Sequence, residues 1–384
     1  MDQAIRHFVQ RLHDNPVRLV MVTAGAGTQA LSWILGVAGA TRTLLEALVP
    51  YDEAAFHDFL GRRPEKYVSA DTAGFMAGRA FTRARHLCQE GEPVIGLACT
   101  ATIVTDRPKR GEHRAYIAAW GQERVIRRSL FLEKGVRNRA EEEELVSRLI
   151  LNVVTEITGL ADEVDLPLLA GDQLEATAVD LAHEARQLCQ GRSRYFGVNP
   201  DGTLCLTHTQ PATLLSGAFN PLHDGHLELA RVTEEMLGRA ISFELAAVNV
   251  DKPSLSPHAV LDRVAQFAGR WTVYASSAPT FLEKARLFPG ATFVIGYDTA
   301  VRVLSPRYYR HDPAQMNAAL SEIQQRGCTF LVAGRKYYDG RFHEASELEL
   351  PPEFATLFAT IPSERFRRDI SSSELRAAGK RGSR

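Results

Sequence analysis

The sequence predicts an α/β protein with two domains, each built on a largely parallel sheet covered by helices. The chain has 384 residues, more than one ordinary domain, and its hydrophobic content of 45% is enough to give each domain a core. Short apolar stretches of strand length alternate with segments of helical periodicity. The alternation stops at 161–172, which mixes charge, proline and glycine as linkers do. We therefore expect domains at 1–163 and 211–384, joined by a linker at 164–210 that contains a helix and a hairpin.

The first domain is expected to begin with an amphipathic helix in its first 16 residues. Residues 140–160 carry apolar residues at three- and four-residue spacing, with acidic residues at the favourable N-terminal end of a helix. Ser69 or Asp71 can cap a helix over 69–90. The other predicted elements of this domain are a helix at 27–39 and strands at 18–25, 41–52, 93–100 and 113–120.

In the linker, a helix is predicted over roughly 173–190, followed by a hairpin at 195–208 that turns at 199–202. Alternation then restarts in the second domain. Its predicted strands are 213–219, 242–250, 271–276, 291–296 and 329–334, and its predicted helices are 226–239, 258–270, 280–288 and a last one from about 372.

Composition limits the classes of partner. Lys and Arg (45) nearly balance Asp and Glu (46), so net charge gives no reason to expect binding to nucleic acid or to an acidic membrane. The N-terminal helix is interrupted by charges, unlike a signal peptide, and the apolar stretches fall short of a bilayer span. Five cysteines without a CxxC pair indicate reduced, buried thiols. We expect a cytoplasmic protein, and a homo-oligomer is left open.

The segment GAFNPLHDGH (217–226) lies where a predicted strand ends and a helix begins. In an open parallel sheet, ligands bind at this edge. Gly217 lets the backbone approach a ligand, and Gly225 opens the helix entry, whose unpaired N–H groups suit a phosphate. His223 and His226 can donate hydrogen bonds to phosphate oxygens. The segment therefore indicates a phosphate site.

Two other interpretations of the histidines apply. A single histidine near a helix start is more often a cap or a half-buried side chain than a catalyst. A histidine pair also suits a metal, but neither a nearby cysteine nor an HExxH pattern offers a third ligand, so no metal site is predicted.

A second segment, ISSSELR (370–376), carries a capping box from Ser371 to Glu374 that starts a helix. The helix N–H groups and the hydroxyls of Ser371, Ser372 and Ser373 can hold phosphates, and Arg376 adds a charged fork. Without the first segment, a well-capped terminal helix would be the simpler interpretation.

Together the two segments resemble the signatures of the HxGH nucleotidylyltransferase superfamily, which includes adenylyl- and cytidylyltransferases. They occur in the family's order, about 150 residues apart. The matching positions are Gly217, Phe219, Asn220, Pro221, His223, Gly225 and His226, then Ile370, Ser371, Ser372, Ser373 and Arg376. The resemblance implies a Rossmann-like domain that transfers a nucleotidyl group from ATP to a phosphorylated acceptor and releases pyrophosphate.

The resemblance also implies roles for residues. The acceptor phosphate attacks the α-phosphorus directly, so no protein nucleophile is needed. His226 would contact the α-phosphate and His223 the phosphate chain, while the serines and Arg376 would hold the leaving pyrophosphate with Mg²⁺ bridging its oxygens. Further expected contacts to ATP are Ser216, Gly217, Phe219, Asn220 and Gly225.

FVIGYDTAVRVL (293–304) resembles the family's IGxD segment, which lines the acceptor site. Gly296 would permit close approach, and Asp298 would bind a ribose hydroxyl or orient the site; a strand end with a capping aspartate is the simpler alternative. Lys252 and Arg335 follow strand signals and are placed to reach a phosphate, although both are also explained as solvated charges.

Residues 18–160 resemble, more weakly, the C-terminal domain of the CinA family, which hydrolyses the amide of nicotinamide mononucleotide. The likeness lies in the order of TAGAGTQAL (23–31), VPYDEA (49–54), YVSADTAGFMAGRA (67–80), VIGLACTATI (94–103), RAYIAAW (114–120) and KGVRNRA (134–140). Ala24 stands where the family has its serine nucleophile, and the family's lysine is missing from 51–56. We expect no amidase activity, because hydroxyl and base are both absent.

The CinA-like neighbour and the FNPxHxGH and IGxD variants favour nicotinamide or nicotinate mononucleotide as acceptor, which would place the chain in NAD biosynthesis or salvage. Association of domains is not a physical argument. The alternatives are a cytidylyl- or adenylyltransferase that uses another phosphorylated metabolite, and a nucleotide sensor without catalysis.

Overall fold

A computed structural model describes residues 1–89, 91–106, 110–206, 212–248, 253–336 and 340–368. It confirms the α/β class, with one sheet of six strands and one of eight. The chain divides into two compact units. Unit 1 comprises Met1–Ala182, Asn199–Leu204 and Phe267–Arg270, and unit 2 comprises His183–Val198, Cys205–Gln266 and Trp271–Arg384. That 1–163 and 211–384 are separate domains stays a prediction.

The sheet of unit 1 is parallel on one side only. Its strands are β1 (Arg18–Ala24), β2 (Leu44–Leu48), β3 (Val94–Thr102), β4 (His113–Trp120), β5 (Arg124–Leu132) and β6 (Gln173–Asp180), in the order β2-β1-β3-β4-β5-β6. The strand β1 is parallel to β2 and β3, whereas β3 to β6 pair antiparallel. The prediction of a largely parallel sheet is wrong for this unit, because short connections join β3, β4 and β5 and reverse the chain each time.

Helices cover this sheet and fix its core. They are α1 (Gln3–Asp14), α2 (Thr28–Leu35), α3 (Ala40–Thr43), α4 (Glu53–Leu60), α5 (Ala70–Leu87) and α6 (Arg139–Thr158). The side chain of Ser69 accepts the N–H of Thr72 and caps α5, as the sequence predicts. A capping box between Asn138 and Glu141 starts α6, which ends at Gly159 in the left-handed conformation.

The segment predicted as a helix over 173–190 is a strand followed by a helix. The strand β6 pairs along its length with β5, and α7 (Leu181–Cys189) begins only after it. Leu174, Ala178 and Leu181 follow a helical spacing, but the alternation of QLEATAVD also fits a strand. The hydrogen bonds of β5 make Gln173–Asp180 a strand. The strand β5 itself, which carries several charges, was not predicted from the sequence.

Asp172, just before β6, bonds to residues of the segment that follows β5. Its carboxylate is fully buried and binds both terminal nitrogens of Arg137, at 2.6 and 3.0 Å. It also accepts the backbone N–H groups of Glu133 and Leu169. Burial alone would raise the pKa of Asp172. The hydrogen bonds from Arg137 and from the two N–H groups lower it by more, so the pKa lies below its usual value. The segment before β6, predicted as a linker, is therefore fixed in place.

Unit 2 carries a mostly parallel sheet in the order β16-β13-β12-β9-β10-β11-β7-β8. Its strands are β7 (Tyr195–Val198), β8 (Leu204–Cys205), β9 (Thr213–Gly217), β10 (Ile241–Ala246), β11 (Val273–Ser276), β12 (Thr292–Gly296), β13 (Thr329–Ala333) and β16 (Phe358–Ile361), and a separate ribbon joins β14 (Arg335–Lys336) to β15 (Phe342–His343). The six strands from β16 to β11 are parallel, and β7 is antiparallel to β11.

The helices of unit 2 are α8 (Asp224–Leu237), α9 (Pro257–Val264), α10 (Phe281–Leu287), α11 (Tyr297–Val303) and α12 (Pro313–Gln325). Phenylalanine rings pack between helices and sheet: Phe293 and Phe330 are fully buried, and the ring centroid of Phe281 lies 5.5 and 5.3 Å from theirs. Sequence analysis missed α11, α12 and β16, and the helix predicted from about 372 lies outside the described residues.

Two predictions from composition concern cysteines and membrane spans. All five cysteines are free thiols, with Cys88, Cys99 and Cys328 buried, but Cys189 is exposed and Cys205 is half-buried. Burial was therefore predicted correctly for three of them. Within the described residues, every helix is too short or too polar to cross a bilayer.

Candidate functional site

The strand order of unit 2 reverses between β9 and β12. The chain runs outward from β9 through β10 to β11, and then returns to add β12 on the other side of β9. Parallel register pairs Thr213 with Thr292 and Leu215 with Val294. Reversal of strand order at neighbouring parallel strands opens a ligand crevice at their carboxyl ends. Gly217 ends β9 and Gly296 ends β12, so the HxGH-like and IGxD-like segments begin on the two sides of this crevice.

The loop after β9 has a constrained backbone. Phe219 has a φ of 44°, unusual for a side chain of this size, and the bond from Asn220 to Pro221 is cis. The side-chain amide of Gln266 donates to the carbonyl of Phe219 at 2.9 Å, and its oxygen accepts the N–H of Leu222 at 2.8 Å. One side chain therefore bridges both ends of the turn.

The ring of Phe219 folds back over the end of β9. It is 1% exposed and would lie 2.8 Å from a Cβ at position 217, so Gly217 is needed for this packing. The ring meets His226 edge to face, with centroids 5.1 Å apart. The ring of Phe219 therefore supports His226. That Gly217 and Phe219 contact ATP stays a prediction.

His223 and His226 lie together at the start of α8. Their rings stack with centroids 3.7 Å apart. The backbone N–H of His223 donates to Nδ1 of His226 at 3.3 Å, which places the proton of neutral His226 on Nε2. Adding a Cβ at Gly225 would bring it within 3.1 Å of Nδ1 of His223, so this glycine keeps that nitrogen uncrowded.

Both imidazoles are neutral at pH 7. Burial lowers the pKa of His226 to about 3, and the neighbouring His223 and Arg335 contribute. Burial, followed by the charge of Arg335, lowers the pKa of His223, although Asp224 opposes this. Neutral rings do not repel each other, yet each keeps one N–H donor.

Two buried polar atoms at this strand end have no hydrogen-bond partner in the described part of the chain. They are Nδ1 of His223 and the hydroxyl oxygen of Ser216. Buried polar groups are usually paired, because an unpaired one costs about 1–3 kcal/mol. Such groups beside a crevice fit a polar ligand.

Asp298 and Arg335 lie on the β12 side. Nη1 of Arg335 is 3.3 Å from each carboxylate oxygen of Asp298, and both side chains are partly exposed. Gly296 precedes them, and a Cβ there would lie 3.0 Å from the Asp298 carboxylate. The positive charge of Arg335 lowers the pKa of both imidazoles. That these residues form one site stays a prediction.

Six of the residues predicted from the motifs and strand signals lie outside the described residues: Lys252, Ile370, Ser371, Ser372, Ser373 and Arg376. Asn220 is described and belongs to the constrained loop. Within the described ranges, His, Cys, Asp and Glu nowhere gather in a group that could hold a metal ion.

Sequence reasoning missed two sets of residues here. Gln266 lies in a predicted helix and belongs to no motif. Its role depends on a hydrogen bond with Leu222, which is 44 residues away in sequence. A buried group of Glu244, Lys284 and Ser276 also lies in this unit: Glu244 accepts Nζ of Lys284 at 2.7 Å and the hydroxyl of Ser276 at 2.6 Å. An isolated glutamate in the apolar strand β10 was the available signal.

Unit 1 contains a cavity of about 270 Å³ at the end of β1. Its lining includes Ala24 together with Tyr51 and Asp52. The structure therefore brings together the segments that follow β1 and β2.

The glycine turn of unit 1 is occupied by the protein's own carboxylate. Oε1 of Glu143 accepts the N–H groups of Gly27 and Gln29 and the hydroxyl of Thr28, each at 3.0 Å. These donors at the start of α2 are the type that would hold a phosphate. The turn therefore has an internal anion in place of a ligand.

No protein-family model matches the chain, and no curated protein matches it. Several solved structures do. The competence/damage-inducible protein CihA from Agrobacterium tumefaciens is 18% identical, with 41% of this chain and 97% of that chain covered and a TM-score of 0.34. A CinA superfamily protein from Escherichia coli is 15% identical, with 40% of this chain and 90% of that chain covered and a TM-score of 0.33. A competence or damage-inducible protein from Enterobacter asburiae is also 15% identical, with 41% of this chain and 98% of that chain covered and a TM-score of 0.33. Of these three names, that of the Escherichia coli protein includes CinA.

Proposed function

We propose that unit 2 transfers an adenylyl group from ATP to a phosphorylated acceptor, nicotinamide or nicotinate mononucleotide, and releases pyrophosphate. The observation that carries the proposal is the stacked imidazole pair at the start of α8, after the carboxyl end of β9. The ion pair of Asp298 and Arg335, beyond the end of the neighbouring strand β12, supports it. The two sequence motifs supply the reaction class.

In the proposed reaction, the acceptor phosphate attacks the α-phosphorus of ATP in line, and the bond to the bridging oxygen of the β-phosphate breaks. Charge spreads over the phosphate oxygens, so catalysis depends on positioning and on hydrogen-bond donors that are already oriented. Nε2–H of His226 is such a donor, because its ring is held by Phe219 and by the N–H of His223. His223 would bind the phosphate chain through its unpaired nitrogen.

The proposal assigns the acceptor to the β12 side. Arg335 would bind the acceptor phosphate, and Asp298 would hold Arg335 or a ribose hydroxyl. Ser371, Ser372, Ser373 and Arg376 would bind the polyphosphate, as their motif positions suggest. Lys252, which follows a strand signal, would bind the acceptor phosphate or the triphosphate. Mg²⁺ would enter with ATP and neutralise charge on the pyrophosphate.

For unit 1 we propose a CinA-like domain without amidase activity. Support comes from Ala24 at the lining of the 270 Å³ cavity, where a hydroxyl nucleophile would stand. Its presence in the same chain as unit 2 favours a pyridine nucleotide as acceptor.

The experiment that tests this function measures pyrophosphate release with ATP or CTP and a panel of acceptors: both mononucleotides, a sugar phosphate and phosphopantetheine. We expect release with ATP and a pyridine mononucleotide. Dependence on CTP or on another acceptor would assign a different transferase of the same superfamily. Nucleotide binding without any release would identify a sensor and overturn the proposal.

A further inference from the structure

The strand β6 forms one edge of the unit 1 sheet, and it is unusually open. It pairs with β5 on one side over all eight residues, Gln173–Asp180. Every residue of β6 except Val179 is exposed, so neither face of the sheet is well covered there. Natural edge strands are commonly protected by lysine, proline or a bulge. QLEATAVD contains neither lysine nor proline, and its pairing with β5 is continuous.

One side-chain contact shows which backbone groups of β6 face outward. Nη1 of Arg128 donates to the carbonyls of both Arg127 and Thr177, at 2.9 and 3.4 Å, and these two residues are opposite each other across β5 and β6. Only a hydrogen-bonded pair brings its two carbonyls within reach of one nitrogen, since a non-hydrogen-bonded pair points them in opposite directions. Thr177 therefore bonds to β5.

Hydrogen-bonded and non-hydrogen-bonded pairs alternate along an antiparallel ladder. Because Thr177 faces β5, the backbone groups of Leu174, Ala176 and Ala178 point away from the sheet. Their side chains are apolar and exposed, with Leu174 at 37%. The edge thus offers a row of donors and acceptors together with a narrow apolar strip.

We infer that β6 pairs antiparallel with β6 of a second copy of this chain, about a twofold axis at Ala176. In this register Ala176 faces its own counterpart, Leu174 faces Ala178, and about six main-chain hydrogen bonds form. The two six-stranded sheets become one continuous sheet.

The charge pattern of β6 suits this occupant. In the proposed register Glu175 lies opposite Thr177, so no like charges are directly opposite along 173–179. At the end of the strand Asp180 lies opposite Asp172, whose charge is neutralised by Arg137. The small side chains of Ala176 and Ala178 allow close approach at the axis. Leu168 and Leu169, exposed at 42% and 37% just before β6, add apolar surface to the contact.

The test substitutes Ala176, because a charge placed there would lie opposite the same charge of the second copy. Ala176→Lys and Ala176→Glu each place like charges together, whereas a mixture of the two variants places opposite charges together. The mass of the full chain is measured by sedimentation at micromolar concentration, with Ala176→Ser as the neutral control. The position is exposed, so circular dichroism and melting should stay as in the wild type.

We expect wild type and Ala176→Ser at twice the 42.5 kDa of one chain, and each charged variant at 42.5 kDa. Mixing the lysine and glutamate variants should restore the double mass. A wild type that sediments as a monomer, folded charged variants that remain dimers, or charged variants that do not recombine would each overturn the inference. None of these results depends on the proposed activity.

Discussion

At the scale of single residues, the buried neutral His226 links stability to pH. In the unfolded chain a histidine takes up a proton near pH 6.5, whereas folded His226 stays neutral down to about pH 3. The unfolded state therefore binds more protons in this window, and the free energy of unfolding falls as pH falls from 6.5 towards 3. His226 alone should remove roughly 2 kcal/mol between pH 6.5 and 5.

Urea unfolding at pH 7 and pH 5 checks this for wild type and His226→Gln. The variant cannot titrate at this position, so it should lose about 2 kcal/mol less than wild type on acidification. The same loss in both proteins would show that His226 is not held neutral by burial.

Asp172 should contribute strongly to the stability of unit 1. Asp172→Ala leaves buried Arg137 without its partner, and breaking such a pair costs about 3–5 kcal/mol. The midpoint of urea unfolding should drop accordingly, while the exposed Asp165→Ala serves as the matched control and should change little. Equal midpoints for both variants would contradict this role. Because the pKa of Asp172 is lowered, its contribution is present above pH 3.8 and is lost as pH falls further.

At the scale of elements, the turn after β9 depends on a distant side chain. Gln266→Leu removes both hydrogen bonds that hold the carbonyl of Phe219 and the N–H of Leu222. The turn carries His223 and the ring that supports His226, so we expect kcat to fall about tenfold, which corresponds to about 1.4 kcal/mol.

Gln266→Glu distinguishes the two bonds, because it keeps the acceptor for Leu222 and loses the donor to Phe219. It should lie between wild type and the leucine variant. Gln324→Leu, an exposed glutamine in α12, is the matched control. Steady-state kinetics with all three variants gives the answer, and unchanged kcat in Gln266→Leu would remove the turn from the site.

The sequence could predict elements whose signals are local. The strand, turn and helix over 213–237 depend on neighbouring residues. So do the helix cap at Ser69 and the turn between β7 and β8. Contacts between distant elements were not predictable: β6 is a strand because β5 pairs with it, and Gly217 is small because Phe219 folds onto it. Periodicity alone could not decide between the two structures that fit 173–180.

At the scale of the whole molecule, the α/β class and the repeated alternation were predictable, but strand order was not. The strand order reverses between β9 and β12 because the chain returns across β9 after β11, and such a reversal is where ligands bind in open parallel sheets. Sequence motifs and strand signals placed His223, His226, Asp298 and Arg335 in one site. In the structure the two imidazoles stack and Asp298 pairs with Arg335, and a site that combines the two pairs stays a prediction. The buried Glu244–Lys284 pair came from the structure alone.

The missing catalytic groups of unit 1 give a prediction about the full chain. Incubation with nicotinamide mononucleotide should release no ammonia above the rate without protein, because Ala24 has no hydroxyl to attack the amide. Enzymatic ammonia detection checks this, with deamidated product measured in parallel. Ammonia formed in proportion to protein would mean that another nucleophile acts in this cavity.

The central claim is that the imidazole pair at the start of α8 stabilises the transferring phosphate. The most direct test is the rate of pyrophosphate release from ATP and a pyridine mononucleotide by wild type, His226→Ala and the exposed control His258→Ala. The account predicts a loss of about a hundredfold or more for His226→Ala, with melting near that of wild type, and no loss for His258→Ala. Equal rates for wild type and a folded His226→Ala would contradict it.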